Sequence, residues 1–76
     1  MVSDIRKLIE AQPFVPFTIH LADGGQVRVP TVDHVLVFPQ GTRVLVTHVD
    51  DSYEILSPLL MSRITVNGKS LGKAAE

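Results

Sequence analysis

His20, His34 and His48 have the widest chemical reach in this chain, and Asp33, Asp50 and Asp51 are the acids nearest to two of them in sequence. Imidazoles and carboxylates converging on one point are what a zinc site requires. The strand registers derived below set Asp33 opposite His48, turn His34 to the other face with Thr47, and leave His20 in a separate hairpin. No three ligands converge, so no metal is expected. Nucleophilic catalysis asks for a Ser or Cys beside a base that a third group orients. Ser3, Ser52, Ser57, Ser62 and Ser70 fall at cap, turn, strand and tail positions, and their spacing to the histidines matches no catalytic motif. Paired catalytic carboxylates and phosphate-cradling glycine loops are also missing. The chain reads as a protein that is not an enzyme and takes no cofactor.

Binding is the remaining class of function. Arg28, Arg43 and Arg63, with His20 and Lys69, are the basic residues available for a polyanion. Glu10, Asp23, Asp33, Asp50, Asp51 and Glu54 are spread among the same elements, and the net charge is −1, so long-range attraction to nucleic acid or an anionic membrane is absent. The 76 residues suffice for one small domain, in the size range where a single core is marginal. Hydrophobic residues make up 45% with only three Phe and one Tyr, so the core must be built from Val, Leu and Ile, which suit strands. There is no cysteine, which removes disulfides and thiolate chemistry. Asp4 and Glu10 interrupt the N-terminal stretch, which therefore reads as neither signal peptide nor membrane span, and a cytoplasmic location is expected.

The elements that must position these groups follow from periodicity. Ile5, Leu8 and Ile9 recur at helical spacing, with Ser3 as the expected N-cap and Asp4 in the first turn. The helix should stop before Pro13, and at about nine residues it must dock its stripe to persist. Pro13, Phe14, Pro16 and Phe17 form a corner into the first strand, residues 17–22, where Phe17, Ile19 and Leu21 alternate with polar positions. The second strand, residues 26–30, alternates Val27 and Val29 with Gln26 and Arg28. A loop of Asp23, Gly24 and Gly25, with Gly25 left-handed, would set Leu21 opposite Val27 and Ile19 opposite Val29. That register puts His20 opposite Arg28 on the outward face, the predicted polar binding face.

Residues 31–33 read as a bend. A second hairpin joins residues 34–38 to 43–49 through Pro39, Gln40, Gly41 and Thr42, pairing Val37 with Val44, Val35 with Val46, Leu36 with Leu45 and Phe38 with Arg43. Both faces of this ribbon are apolar, so Leu36, Phe38 and Leu45 are the predicted self-association surface unless the helix covers them. A strand at residues 53–56 carries Tyr53 and Ile55 on one side, a helical turn follows at 57–60, and residues 62–66 form the last strand. Residues 1–66 are expected as one domain, with 67–76 as a flexible tail.

A short helix, then strands, with a single helical turn before the last, resembles the element order of Sm-like small β-barrels. Leu21-Ala22-Asp23-Gly24 looks like the turn of the first Sm motif, and Val32-Asp33 like its hydrophobic-Asp pair. Val37 stands where the Sm base pocket has Asn, and Ser62-Arg63-Ile64-Thr65 stands where the second Sm motif has Arg-Gly, so RNA binding is implied only weakly. The stretch from Pro13 to Gly24 is also similar to a family of short bacterial proteins that share a Pro-Phe-x-Pro-Phe-x-Ile-x-Leu-x-Asp-Gly opening. Tyr53-Glu54-Ile55 and Arg63-Ile64 match its later segments, and this resemblance implies no activity. The expected fold is mainly β, a five- to six-stranded antiparallel barrel or bent sheet of Sm-like type with a short N-terminal helix. The expected function is a non-catalytic protein-interaction module forming homo-oligomers, with an Sm-like RNA binder as the alternative and no membrane partner.

Overall fold

The computed structural model describes residues 1–67 and 69–71. Helix α1 spans Val2–Glu10. Its stripe is used as the spacing requires: Ile5 is fully buried, and Leu8 and Ile9 pack half-buried against the core. Met1, rather than Ser3, is the N-cap, because its carbonyl accepts from the amides of Asp4 at 3.1 Å and Ile5 at 3.2 Å. Ala11 is extended, so the helix ends ahead of Pro13. Arg6 lies off the stripe but has a role: its guanidinium donates to the carbonyls of Phe38 at 3.2 Å and Pro39 at 3.1 Å, tying the helix to the second hairpin's turn.

The strands are β1 (Phe17–Leu21), β2 (Gln26–Val29), β3 (Val35–Val37), β4 (Val44–Thr47), β5 (Tyr53–Leu56), β6 (Met61–Val66) and β7 (Lys69–Leu71). They form a four-stranded antiparallel sheet, ordered β2-β1-β6-β7, and a three-stranded antiparallel sheet, ordered β3-β4-β5. The chain is mainly β as expected, but the described residues form no closed barrel. Pro30 lacks an amide to donate, and Val32–His34 coils into a 3-10 turn, so the ladder breaks between β2 and β3. A second 3-10 turn, Pro58–Leu60, separates β5 from β6. Pairing also continues past residue 66. Asn67 takes a positive φ of 52° and Lys69–Leu71 returns along β6, whereas the rest of the predicted tail, 68 and 72–76, lies outside the described residues.

The first hairpin departs from the expected register by two residues. Ile19 faces Val27 and Phe17 faces Val29, so His20 lies opposite Gln26, and Arg28 lies opposite Thr18. The loop is Ala22, Asp23 and Gly24, closed by the Leu21 amide on the Gly25 carbonyl at 2.8 Å and the Gly24 amide on the Leu21 carbonyl at 3.0 Å. Gly24, not Gly25, is left-handed, with φ 92°, and Asp23 Oδ1 accepts from the Gly25 amide at 2.8 Å. The aspartate side chain therefore holds the loop exit at Gly25, and Gly24, the last loop residue, takes the left-handed position. The β4–β5 hairpin repeats this design with different residues. The His48 amide donates to the Ser52 carbonyl at 2.7 Å, the Asp51 amide donates to the His48 carbonyl at 3.0 Å, and Asp50 Oδ1 accepts from the Ser52 amide at 3.0 Å. Asp51 holds the left-handed position there, with φ 70°.

The second hairpin pairs as read from the sequence: Val35 with Val46, Leu36 with Leu45, Val37 with Val44, and the Phe38 amide on the Arg43 carbonyl at 3.0 Å. The β1–β6 register shifts between His20 and Leu21, leaving Ser62 of β6 as the extra residue of a bulge, its hydroxyl donating to the His20 carbonyl at 3.2 Å. The bulge turns Met61 inward along with Ile64. The core joins Phe17, Ile19, Val27, Val29, Met61 and Ile64 of one sheet to Val44, Val46 and Leu56 of the other, with Ile5 of the helix. Phe14 tilts against Phe17 with centroids 5.9 Å apart, which makes the proline-flanked corner part of this packing.

Two stability measurements follow. Ile5→Ala should cost about 2–4 kcal/mol in urea unfolding, since a fully buried side chain leaves a cavity at the point where helix and sheets meet. The two equivalent loop positions should respond with opposite signs. Gly24→Ala should destabilise by about 1 kcal/mol although no atom lies within 4 Å of the added Cβ, and Asp51→Gly should stabilise by about 0.5–1 kcal/mol.

Candidate functional site

Alternation along each strand sends the core residues inward and determines what the outward faces present. On the four-stranded sheet the outward face carries Thr18, His20, Gln26, Arg28, Arg63 and Thr65. None of these is acidic. His20 sits directly opposite Arg63 and diagonal to Arg28, so the predicted polar pair shares a face but not a rung. His20 Nε2 is hydrogen-bonded to Thr65 Oγ1 at 3.0 Å across β1 and β6. Arg28 and Arg63 are exposed, and among the described residues neither has a carboxylate within ion-pair distance.

On the three-stranded sheet the outward face is apolar. Leu36, Leu45 and Ile55 form one row across β3, β4 and β5, with Leu36 and Ile55 each 55% exposed. Tyr53, opposite Thr47, extends the row and is also exposed. Phe38 and Leu45 are half-buried, so of the three predicted surface residues Leu36 is the most open. Helix α1 leaves most of this row open: Ile5 goes into the core, and Arg6, Ile9 and Glu10 reach only its Leu36 end. Tyr53 and Ile55 belong to this surface although the sequence reading left them out. Their signal was the Tyr53/Ile55 alternation, which becomes informative only when β5 is known to pair with β4.

Near the end of β2 lies an open groove of about 520 Å³ whose walls include Arg28, Pro30, His34, His48, Val49 and Asp50. This corrects the expected placement of His34 and His48 on opposite faces with Asp33 beside His48. His48 keeps the alternation of β4, its ring reaching Glu54 on the Val46 side, whereas His34 closes the 3-10 turn ahead of β3 and does not follow strand alternation. His34 Nδ1 is hydrogen-bonded to Thr31 Oγ1 at 2.8 Å, and His48 Nε2 donates to Glu54 Oε2 at 2.8 Å. No group of three His, Cys, Asp or Glu side chains among the described residues is arranged to hold a metal. No helix among them is long and apolar enough to cross a membrane.

The Ser52 hydroxyl and then its amide hold the Asp50 carboxyl below the usual carboxylate range, with His48 contributing less. A lowered folded-state pKa means the interaction supports the fold above the ordinary carboxylate pKa and is lost as pH falls through Asp50's own value. No protein-family model, curated protein or solved structure matches this chain.

Ser52→Ala removes the larger of these hydrogen bonds, so a carboxyl-carbon NMR titration should find the Asp50 pKa raised part of the way toward 3.8, with the His48 amide on the Ser52 carbonyl retained.

Proposed function

We propose that this protein is a non-catalytic interaction module that self-associates through the outward face of its three-stranded sheet. The observation that carries this reading is the row Leu36–Leu45–Ile55, which crosses three paired strands and ends on exposed Tyr53. No charged residue of β3, β4 or β5 faces the same way, since Glu54 lies on the opposite side of β5. A contiguous apolar surface on a small domain marks an interaction site. A second copy related by a two-fold axis offers the same apolar row in return, with Arg6 and Glu10 at its Leu36 end on the rim of the contact.

In architecture we read the two sheets as the halves of one strongly bent, Sm-like sheet, interrupted at Pro30 and at the 3-10 turn after Ser57. The order of elements supports this, as does the return of β6 to pair with β1. The same order supports the second reading, an Sm-like RNA binder, together with the acid-free face that carries Arg28 and Arg63. Salt-dependent fluorescence anisotropy with short mixed RNAs separates the two; no binding at roughly tens of micromolar protein in low salt disposes of the RNA reading.

Sedimentation at high micromolar concentration should find a dimer or larger species. Ile55→Lys, which places an ammonium in the middle of the contact, should weaken association at least about tenfold while leaving the thermal midpoint of the monomer nearly unchanged. A wild-type protein that sediments only as a monomer would remove the basis of the proposal.

A further inference from the structure

We propose that the groove beside Arg28 binds a carboxylate carried on an apolar body, with Arg28 as the anion partner. Four features of the groove carry this. First, Arg28 keeps its donors. Asp50 stands in the same wall, but it makes no ion pair with Arg28, and its Oδ1 accepts from the Ser52 amide at 3.0 Å and from the Ser52 hydroxyl. Among the described residues Arg28 has no hydrogen-bond or ion-pair partner. A planar guanidinium in that condition matches a carboxylate through two parallel N–H···O bonds.

Second, the two imidazoles in the wall are held in place by one nitrogen each. His34 is held at Nδ1 by Thr31 and His48 at Nε2 by Glu54, so His34 Nε2 and His48 Nδ1 have no partner among the described residues. Third, beside Thr47 and Ser52 the wall has an apolar part. Pro30 lines it, and Val49, at the tip of the β4–β5 loop, is 89% exposed. A ligand's hydrocarbon part seated in the groove would cover Val49 and Pro30. Fourth, the Asp50 charge discriminates among anions. A single negative charge can pair with Arg28, whereas a dianion such as a phosphate monoester would bring a second charge toward the Asp50 carboxylate. The volume of about 520 Å³ suits a small organic acid or the last residues of a peptide, which share this chemistry.

The test is an NMR titration of the ¹⁵N-labelled full chain. The probes are sodium benzoate, inorganic phosphate, and acetyl-Val-Val with either a free or an amidated C-terminus. Benzoate should shift the amides of Arg28, Val49 and Ser52 and saturate with a Kd of about 1 mM, as a small ligand with one ionic anchor does. Arg28→Gln should weaken it at least about tenfold with a dispersed spectrum retained, and Arg63→Gln, on the same sheet face but outside the groove, should leave it unchanged. Preference for the free-acid over the amidated peptide assigns a peptide C-terminus as the source, and binding of benzoate without the peptide assigns a free acid. Phosphate binding as tightly as benzoate, an unaffected Arg28→Gln, an equal loss in Arg63→Gln, or no saturable shift overturns the proposal.

Discussion

The fold depends on a single cluster in which Ile5 of the helix is buried with side chains from both sheets. Neither sheet can stand without it. A three-stranded sheet of short strands and a nine-residue helix are each too small to be stable alone, so each must bury its apolar side against the others. The alternation of Val44 and Val46, of Val27 and Val29, and of Phe17 and Ile19 is what that cluster demands of the strands. Arg6 adds direction to the docking by bonding two carbonyls of the turn between β3 and β4, which fixes the helix to the hairpin it covers from within.

Once the inward positions are committed, the outward ones are free to differ, and they do. The four-stranded sheet turns arginine, histidine, threonine and glutamine to solvent. The three-stranded sheet turns leucine, isoleucine and tyrosine. One small domain thus presents a polar and an apolar face on separate sheets. The break at Pro30 and Val32–His34 separates the two sheets along the chain, and Pro30 and His34 from it line the groove.

Turn chemistry controls the remaining details. Two loops with unlike sequences, Ala22-Asp23-Gly24 and Val49-Asp50-Asp51, use the same backbone bonds and the same aspartate-to-amide cap. The shared aspartate is the physical cause, since a short carboxylate can reach the amide two residues on and hold the chain as it re-enters the ladder. Glycine fills the left-handed position in one loop, and an aspartate fills it in the other.

Much of this was legible in the residues themselves. The helical stripe, the β character of the chain, the faces of every strand pair in the second hairpin and the apolar outer row at Leu36 and Leu45 all follow from periodicity, because the side-chain period of a helix or strand is fixed by backbone geometry. The first hairpin shows where that information ends. Alternation repeats every two residues, so it chose the correct faces for Ile19 and Val27 but could not distinguish the true register from one displaced by two. The Asp23 side chain made that choice. In the same way, strand alternation separated His34 from His48, and only the 3-10 turn ahead of β3 brought His34 to one groove with His48 and Arg28. Periodicity determined which side of each strand faces the core; loop hydrogen bonds and the meeting of distant elements, which no local pattern encodes, decided which outward residues became neighbours.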